Sequence, residues 1–210
     1  MNFKISMLTL MCVFLISAAV QEGDQKIYHK SWIEFNKNGI KDVFEDPKAN
    51  IEDRVSNLIS LMSVNEKTCQ MTTLYGYSRV LEDELPTAAW KKRVWKDGIG
   101  NIDEHLNTIW NQEKTHTELS FPYSKHSEAI NTVQRWFVEE TRLGIPVDFT
   151  HEGIHGLCHK KATPLPAPIG IGSTWNKNLV FKAGEIAGRE AKALGYTNIY
   201  APILDVARDP

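Results

Sequence analysis

The sequence is poor in cysteine and has no long run of basic residues. Its three cysteines, Cys12, Cys69 and Cys158, stand far apart, so the paired spacing typical of a structural zinc site is missing. The formal charge is −2, and lysine and arginine do not form stripes with interleaved aromatic residues. These absences argue against a zinc-stabilised fold and against a nucleic-acid-binding surface. They favour a neutral or weakly charged ligand.

The apolar run near the N-terminus is shorter than a membrane span. It extends from about Ile5 to Ile16, follows Lys4 and is followed by small residues up to Ala19, whereas a spanning helix needs about 20 apolar residues. This order is typical of a secretory signal peptide. We therefore predict that 1–19 is a cleaved signal peptide of an exported protein, periplasmic or extracellular, with no stable membrane insertion after cleavage.

Cleavage there would leave Cys69 and Cys158 as the remaining cysteines. An oxidising compartment permits a disulfide between them, but two separate buried thiols are equally compatible with the sequence. The sequence predicts neither a cofactor nor a bound metal.

Short apolar segments alternate with amphipathic helices along the chain. Strands are predicted to begin near Met71, Gly98, Val147 and Asn198. Helices are predicted from apolar spacing and capping residues over 51–62, 127–143 and 177–194. Parallel strands need such helical crossovers. Because an eight-fold barrel usually has about 250 residues, these elements predict an α/β fold that is a partial (β/α)8 TIM-type barrel, roughly its first half.

Two segments are predicted to be irregular. The first, 20–49, has aromatic residues without a sustained period and is expected to be a lead-in that wraps the domain surface. The second, 155–173, is rich in glycine and proline and is expected to be a long ordered loop without a regular helix. Gly98 and Gly100 indicate that another backbone closely approaches the second strand.

Glu152 and His155 follow the third predicted strand, in the segment HEGIHG. The letters HEGIH match the zinc-protease pattern HExxH, but that motif belongs inside a helix, where Gly153 would cost about 1 kcal/mol relative to alanine. A zinc protease is therefore disfavoured. The Glu152 carboxylate can instead accept charge-assisted hydrogen bonds from a sugar or polyol, and an ion pair with a loop lysine is the alternative.

Four blocks of the chain resemble, in the same order, the N-terminal part of glycoside hydrolase family 3, which contains exo-acting β-glucosidases and β-xylosidases. They are IEDRVSNLISLMSVNEKTCQM, LGIPVDFTHEGIHG, PLPAPIGIGSTWN with GREAKALGYTNIYAP, and ILDVARDP. The resemblance implies that 50–210 is the N-terminal, truncated part of a (β/α)8 catalytic domain. It also implies that Glu152 contacts hydroxyls of the non-reducing-end sugar of a β-linked oligosaccharide or glycoside. His155 is expected to brace the loop, with direct ligand contact as the alternative.

The block ILDVARDP resembles the residues before a sugar-binding arginine of the family, which this sequence does not include. Arg208 and Asp209 are therefore expected to form an ion-pair network with Asp205, and ligand contact is the alternative. By the same resemblance, the catalytic nucleophile and acid/base lie beyond residue 210, so no residue here is predicted to be catalytic. Because retaining hydrolysis needs two carboxyl groups about 5–5.5 Å apart, the chain as given is expected to be inactive.

Within the family, glutamate rather than aspartate at Glu152 resembles pentose-preferring members, because the extra methylene crowds the space of a hexose hydroxymethyl group. This favours a β-xylosidase over a β-glucosidase. A non-catalytic sugar-binding or degenerate protein is the alternative from another functional class. The tryptophans that could stack on sugars are predicted to pack in the core or on the surface instead: Trp90, Trp95, Trp110 and Trp175.

Overall fold

The structure is a computed structural model that describes residues 26–75, 85–93, 95–106, 122–203 and 208. The predicted signal peptide, Trp110, Asp205 and Asp209 lie outside the described residues. After a 3-10 turn at Val43–Glu45, the order is α1 Ile51–Leu61, α2 Val64–Gln70, β1 Thr73–Tyr75, α3 Ala88–Arg93, β2 Asn101–Asp103, α4 Tyr123–Glu140, β3 Asp148–Glu152, α5 Pro168–Gly172, α6 Lys177–Leu194 and β4 Asn198–Tyr200. In the part of the chain described, no helix is both long and apolar enough to cross a bilayer.

The four strands form one parallel sheet in chain order, β1-β2-β3-β4. Its register pairs Leu74 with Ile102, Ile102 with Phe149, and Thr150 with Asn198. Sequential parallel strands joined through helices are the arrangement of a β/α barrel. The predicted α/β fold, a partial barrel with four strands, is confirmed.

Local sequence signals set several helix ends. The Asn50 side chain accepts a hydrogen bond from the Glu52 N–H at 2.8 Å, and Ser63 and Glu66 form the predicted capping box at the start of α2. Asn176 caps α6, and Gly195 ends it with a φ of 100°. These capping groups satisfy backbone groups that a helix end leaves without a partner.

Three predicted boundaries need correction. Helix α4 begins four residues before Ser127, directly after Pro122, and ends at Glu140 because Thr141 is extended. Glu152 is the last residue of β3, not a loop residue, since its backbone pairs with Tyr200 of β4. The predicted loop contains the short helix α5, which starts at Pro168; proline is tolerated at the first helical position, where its missing N–H is not needed.

A cluster of buried aromatic and aliphatic side chains packs the helices against the sheet. Trp90 and Trp95 lie in it with ring centroids 4.6 Å apart, which confirms their predicted core packing. Trp175 is different, because 92% of it is exposed and its φ is 53°. Its predicted packing role is wrong within the described residues, since the turn between α5 and α6 places its side chain outside the core.

Close backbone contacts explain two of the glycines. A Cβ at Gly100 would lie 2.2 Å from the Gln70 carbonyl oxygen, so the predicted close approach of another backbone is confirmed at this glycine. At Gly98 a Cβ would meet only the Gln70 side chain, at 3.5 Å. At Gly144, φ is 57° and a Cβ would lie 2.4 Å from the carbonyl oxygen of Phe35. The segment before α1 therefore packs against the turn that leads from α4 into β3, and the Lys37 ammonium reinforces this contact by donating to the Thr141 carbonyl oxygen at 2.7 Å.

An ion pair joins the α1–α2 junction to the end of α4. The buried Glu66 carboxylate accepts hydrogen bonds from the Ser63 N–H at 2.8 Å and from the Arg142 Nε at 2.9 Å. Arg142 also donates to the Leu61 carbonyl oxygen at 2.9 Å. Burial alone would raise the pKa of Glu66, but the hydrogen bonds from Arg142 and Ser63 outweigh it and lower that pKa.

Replacing Arg142 with alanine is expected to lower the free energy of unfolding by about 2 kcal/mol at pH 7. This loss is smaller than the usual cost of breaking a buried ion pair, because the Arg142 side chain is more than half exposed. The folded pKa of Glu66 is depressed, so the contribution of the pair is present above the unfolded pKa of about 4.3 and is lost as the pH falls through the folded value. Urea unfolding at pH 7 and pH 3 measures both effects. Arg189→Ala, on the exposed face of α6, is the control, and equal losses in the two variants would contradict the account.

Candidate functional site

The carboxyl ends of three strands meet at a cleft of about 540 Å³. Tyr75 ends β1, Glu104 follows β2 and Glu152 ends β3, and all three line the cleft together with residues from 154–164. In β/α barrels the loops at this end of the sheet build the active site. The cleft is therefore the candidate functional site of the described residues.

Glu152 lies half-buried in this cleft and is fixed through its backbone. Its N–H donates to the Nδ1 of His151 at 2.8 Å, and its carbonyl oxygen accepts from the Cys158 N–H at 2.8 Å. The carboxylate forms no ion pair and no hydrogen bond with a described residue, so the predicted alternative of a lysine partner finds no support there. Burial, and then the charge of Asp103, raise the pKa of Glu152. A half-buried carboxylate without a cation is suited to a ligand with hydroxyl groups.

The loop after β3 folds back on itself beside Glu152. The His155 carbonyl oxygen accepts from the Leu165 N–H at 2.9 Å, while the exposed imidazole of His155 forms no hydrogen bond with a described residue. Glu190 of α6 holds the far side of the loop, accepting from the Thr163 N–H at 2.9 Å and from its hydroxyl at 2.6 Å. Backbone contacts thus hold the loop, and the His155 ring stays at the cleft wall.

A group of buried aromatic and histidine rings lies next to Glu152 on the core side. His151 packs edge-on against Tyr196 with centroids 4.5 Å apart, and the Tyr196 hydroxyl donates to the His105 carbonyl oxygen at 2.8 Å. His126 lies against both Tyr196 and His159, with centroids 5.5 Å away in each case. Burial lowers the pKa of His151 to about 3 and that of His159 to about 4. These rings are therefore neutral at physiological pH and form part of the core beside the cleft.

The segment HEGIH does not form a helix. His151 and Glu152 belong to strand β3, and His155 lies in the loop that follows it. His151 is fully buried, whereas His155 is exposed. The two imidazoles consequently do not share one helix face, which the zinc-protease motif requires.

The structure brings some of the predicted site residues together. Glu152 and His155 line the same cleft, whereas Arg208 is exposed and Asp209 lies outside the described residues. Glu104 and Tyr75 also line the cleft but were not predicted from the sequence. The signal for Glu104 was present, because two acidic residues directly follow the apolar segment of the second strand.

Both cysteines of the described region are free thiols. Cys158 lines the cleft and Cys69 belongs to α2, so the predicted disulfide alternative does not form. Burial raises the pKa of the Cys158 thiol, and the neighbouring carboxylates raise it further. Cys158 is therefore a weakly nucleophilic thiol at neutral pH.

Comparison with known proteins relates this chain to glycoside hydrolases. A family profile described as the N terminal domain of glycosyl hydrolase family 3 matches residues 63–210. A Formosa agariphila protein named beta-xylosidase is 40% identical over 70 residues, which is 31% of this chain and 10% of that protein. The Dictyostelium discoideum lysosomal beta glucosidase is 27% identical over 172 residues, 74% of this chain and 19% of its own length. The Salmonella typhimurium periplasmic beta-glucosidase is 27% identical over 157 residues, 74% of this chain and 17% of its own length.

A solved structure shows the same fold. The β-glucosidase structure from Erythrobacter marinus superposes with a TM-score of 0.61 at 21% identity and covers 79% of this chain and 20% of that chain. This chain thus spans a fifth or less of the length of each of these proteins. The family profile, however, matches well over half of the chain, and the parallel sheet with a cleft at its carboxyl end agrees with it. The chain belongs to glycosyl hydrolase family 3 and carries the N terminal domain of that family over residues 63–210.

Proposed function

We propose that the complete protein is an exo-acting, retaining β-glycosidase that removes terminal non-reducing β-linked sugars, as a β-xylosidase or β-glucosidase. The observation that carries this proposal is the Glu152 carboxylate, which lies in the cleft at the carboxyl ends of β1, β2 and β3 and pairs with no cation among the described residues. The family and the names of the relatives support it. An exported location is part of the proposal, since one relative is named periplasmic and another lysosomal.

Glu152 supplies binding energy in this proposal, not covalent chemistry. Its ionised oxygens accept hydrogen bonds from hydroxyl groups of the terminal sugar, and such charge-assisted bonds are among the stronger polar contacts in proteins. The Cys158 N–H and the buried His151 ring fix its backbone, so little backbone freedom is lost on binding. The nucleophile and acid/base are proposed to come from the complete protein beyond residue 210, as the family resemblance implies.

The terminal sugar is proposed to be a pentose. A glutamate reaches one methylene further into the cleft than an aspartate would, and this length leaves less room for the hydroxymethyl group of a hexose. Crowding of that kind changes selectivity by about 10–200-fold per methylene. Xylosides are therefore the preferred substrates.

The complete protein is expected to hydrolyse 4-nitrophenyl β-D-xyloside with a higher kcat/KM than the matching glucoside. Proton NMR of the first product should show the β-anomer, as retention requires. Clear preference for the glucoside would contradict the pentose assignment, and an α-anomer formed first would contradict retention. If neither glycoside were hydrolysed, the proposed function itself would be wrong.

A further inference from the structure

Glu104 is the other carboxylate of the cleft, and it comes from the strand next to that of Glu152. It directly follows β2, and its N–H donates to the Thr150 carbonyl oxygen at 2.9 Å, which continues the β2–β3 ladder by one bond. The residue is buried, yet it lines the cleft. Glu104 is therefore part of the cleft wall and not of the outer surface.

The backbone at Glu104 adopts an unfavourable conformation. Its φ is 52°, in the left-handed region that costs a residue with a Cβ roughly 1–2 kcal/mol. Glycine would avoid this cost. The preceding residue, Asp103, turns toward the core and accepts a hydrogen bond from the Thr150 hydroxyl at 2.9 Å. Strained residues concentrate at functional sites, and here the strained residue lines the cleft.

The Cys158 thiol is influenced by the charges of both acidic residues that line the cleft. Burial raises the pKa of its thiol most, and the charges of Glu104 and Glu152 raise it further. All three residues line the same cleft. The cleft lining therefore includes one thiol and two acidic residues, one from the end of each of two adjacent strands.

We propose that Glu104 is a second substrate-binding carboxylate, which acts with Glu152 on the hydroxyl groups of an uncharged terminal sugar. This assignment rests on the proposed function and deepens it by naming the substrate class. Two carboxylates in one cleft attract hydroxyl donors but repel a third carboxylate. The cleft accordingly selects neutral glycosides and rejects uronic acid glycosides.

Glu104→Gln in the complete protein tests this assignment. It is expected to raise KM for 4-nitrophenyl β-D-xyloside by about tenfold, because a hydrogen bond to a charged group is weakened. The kcat should stay within about twofold, since Glu104 binds in the ground state and the transition state alike. Glu104→Gly should show at least the same loss of affinity, because it removes the carboxylate altogether while glycine tolerates the left-handed backbone. Glu52→Gln, exposed on α1, is the control.

Failure of this assignment and failure of the proposed function give different results. An active wild-type protein whose Glu104→Gln variant keeps its KM would overturn the assignment alone. Wild-type protein that hydrolyses neither xyloside nor glucoside would overturn the proposed function and the assignment with it. The matching glucuronide should inhibit the wild-type protein far less than the glucoside does. Equal inhibition by the two would contradict the proposed rejection of uronic acids.

Thiol alkylation provides a readout that needs no enzymatic activity. Removing the Glu104 charge should lower the pKa of Cys158 and speed its reaction with iodoacetamide at pH 8 by about twofold or more, because more thiolate is present. Cys69 is the internal control. Burial, Asp97 and Glu66 raise the pKa of its thiol, so its alkylation rate should not change when the Glu104 charge is removed. Peptide mass spectrometry measures both rates in one sample. An unchanged rate at Cys158 would contradict the placement of Glu104 in the cleft.

Discussion

Glu152→Gln is expected to lower kcat/KM of the complete protein for its best glycoside by about 100-fold. Glutamine keeps the size and the backbone contacts of Glu152 but replaces an ionised acceptor with a neutral one. Two charge-assisted hydrogen bonds to sugar hydroxyls, each weakened by about 1–1.5 kcal/mol, account for this factor. Steady-state kinetics measure the loss, and Glu128→Gln, exposed on α4, should leave kcat/KM unchanged.

The pH dependence adds a second signature of Glu152. Burial and Asp103 raise its pKa, so the binding-competent carboxylate becomes protonated at a higher pH than an exposed glutamate would. In the wild-type protein, 1/KM should fall as the pH drops through this raised value, whereas the glutamine variant should lack that acid limb. A variant with wild-type kcat/KM, or with the same acid limb, would contradict the assigned role.

Gly156→Ala is expected to destabilise the cleft loop and to abolish most of the activity. At Gly156 φ is 91°, and a Cβ would lie 2.3 Å from the carbonyl oxygen of Thr163. A backbone atom cannot move aside cheaply, because Glu190 holds both the N–H and the hydroxyl of Thr163. Strain and the steric clash together should cost about 3 kcal/mol of unfolding free energy.

The control for this variant is Gly184→Ala. Gly184 lies in helix α6, and a Cβ there would meet no atom within 4 Å. Alanine is the better helix former, so this change should leave stability unchanged or raise it by up to about 1 kcal/mol. Chemical denaturation measures both variants. Equal stability and activity of Gly156→Ala and Gly184→Ala would contradict the claim that the close backbone contact at Gly156 is needed for stability and activity.

The sequence was most informative where periodic patterns and capping residues coincide. Helix α6 was predicted between Asn176 and Gly195 because a cap and a left-handed glycine bracket its apolar face. Helix α5 was missed because three prolines argue against any helix, although a proline at the first position is compatible with one. Local signals therefore predict helices well, except where a residue such as proline can either break a helix or begin one.

The candidate site was only partly predictable for a related reason. The family resemblance identifies Glu152, whereas the sequence signal for Glu104 is only its position after the apolar segment of the second strand, where the folded chain has a left-handed backbone. The group of His126, His151 and Tyr196 is assembled from three distant parts of the chain, which only the folded sheet and helices bring together. Side chains that meet through tertiary structure leave no pattern in a single sequence.

The cleft at the carboxyl ends of β1, β2 and β3 is proposed to bind the terminal non-reducing sugar through Glu152. A structure of the complete protein with bound D-xylose or an uncleaved xyloside is the decisive measurement. We expect a sugar in this cleft, with the Glu152 carboxylate within about 3 Å of at least one ring hydroxyl. A sugar bound at another site in an active protein, with Glu152 away from it, would contradict the claim.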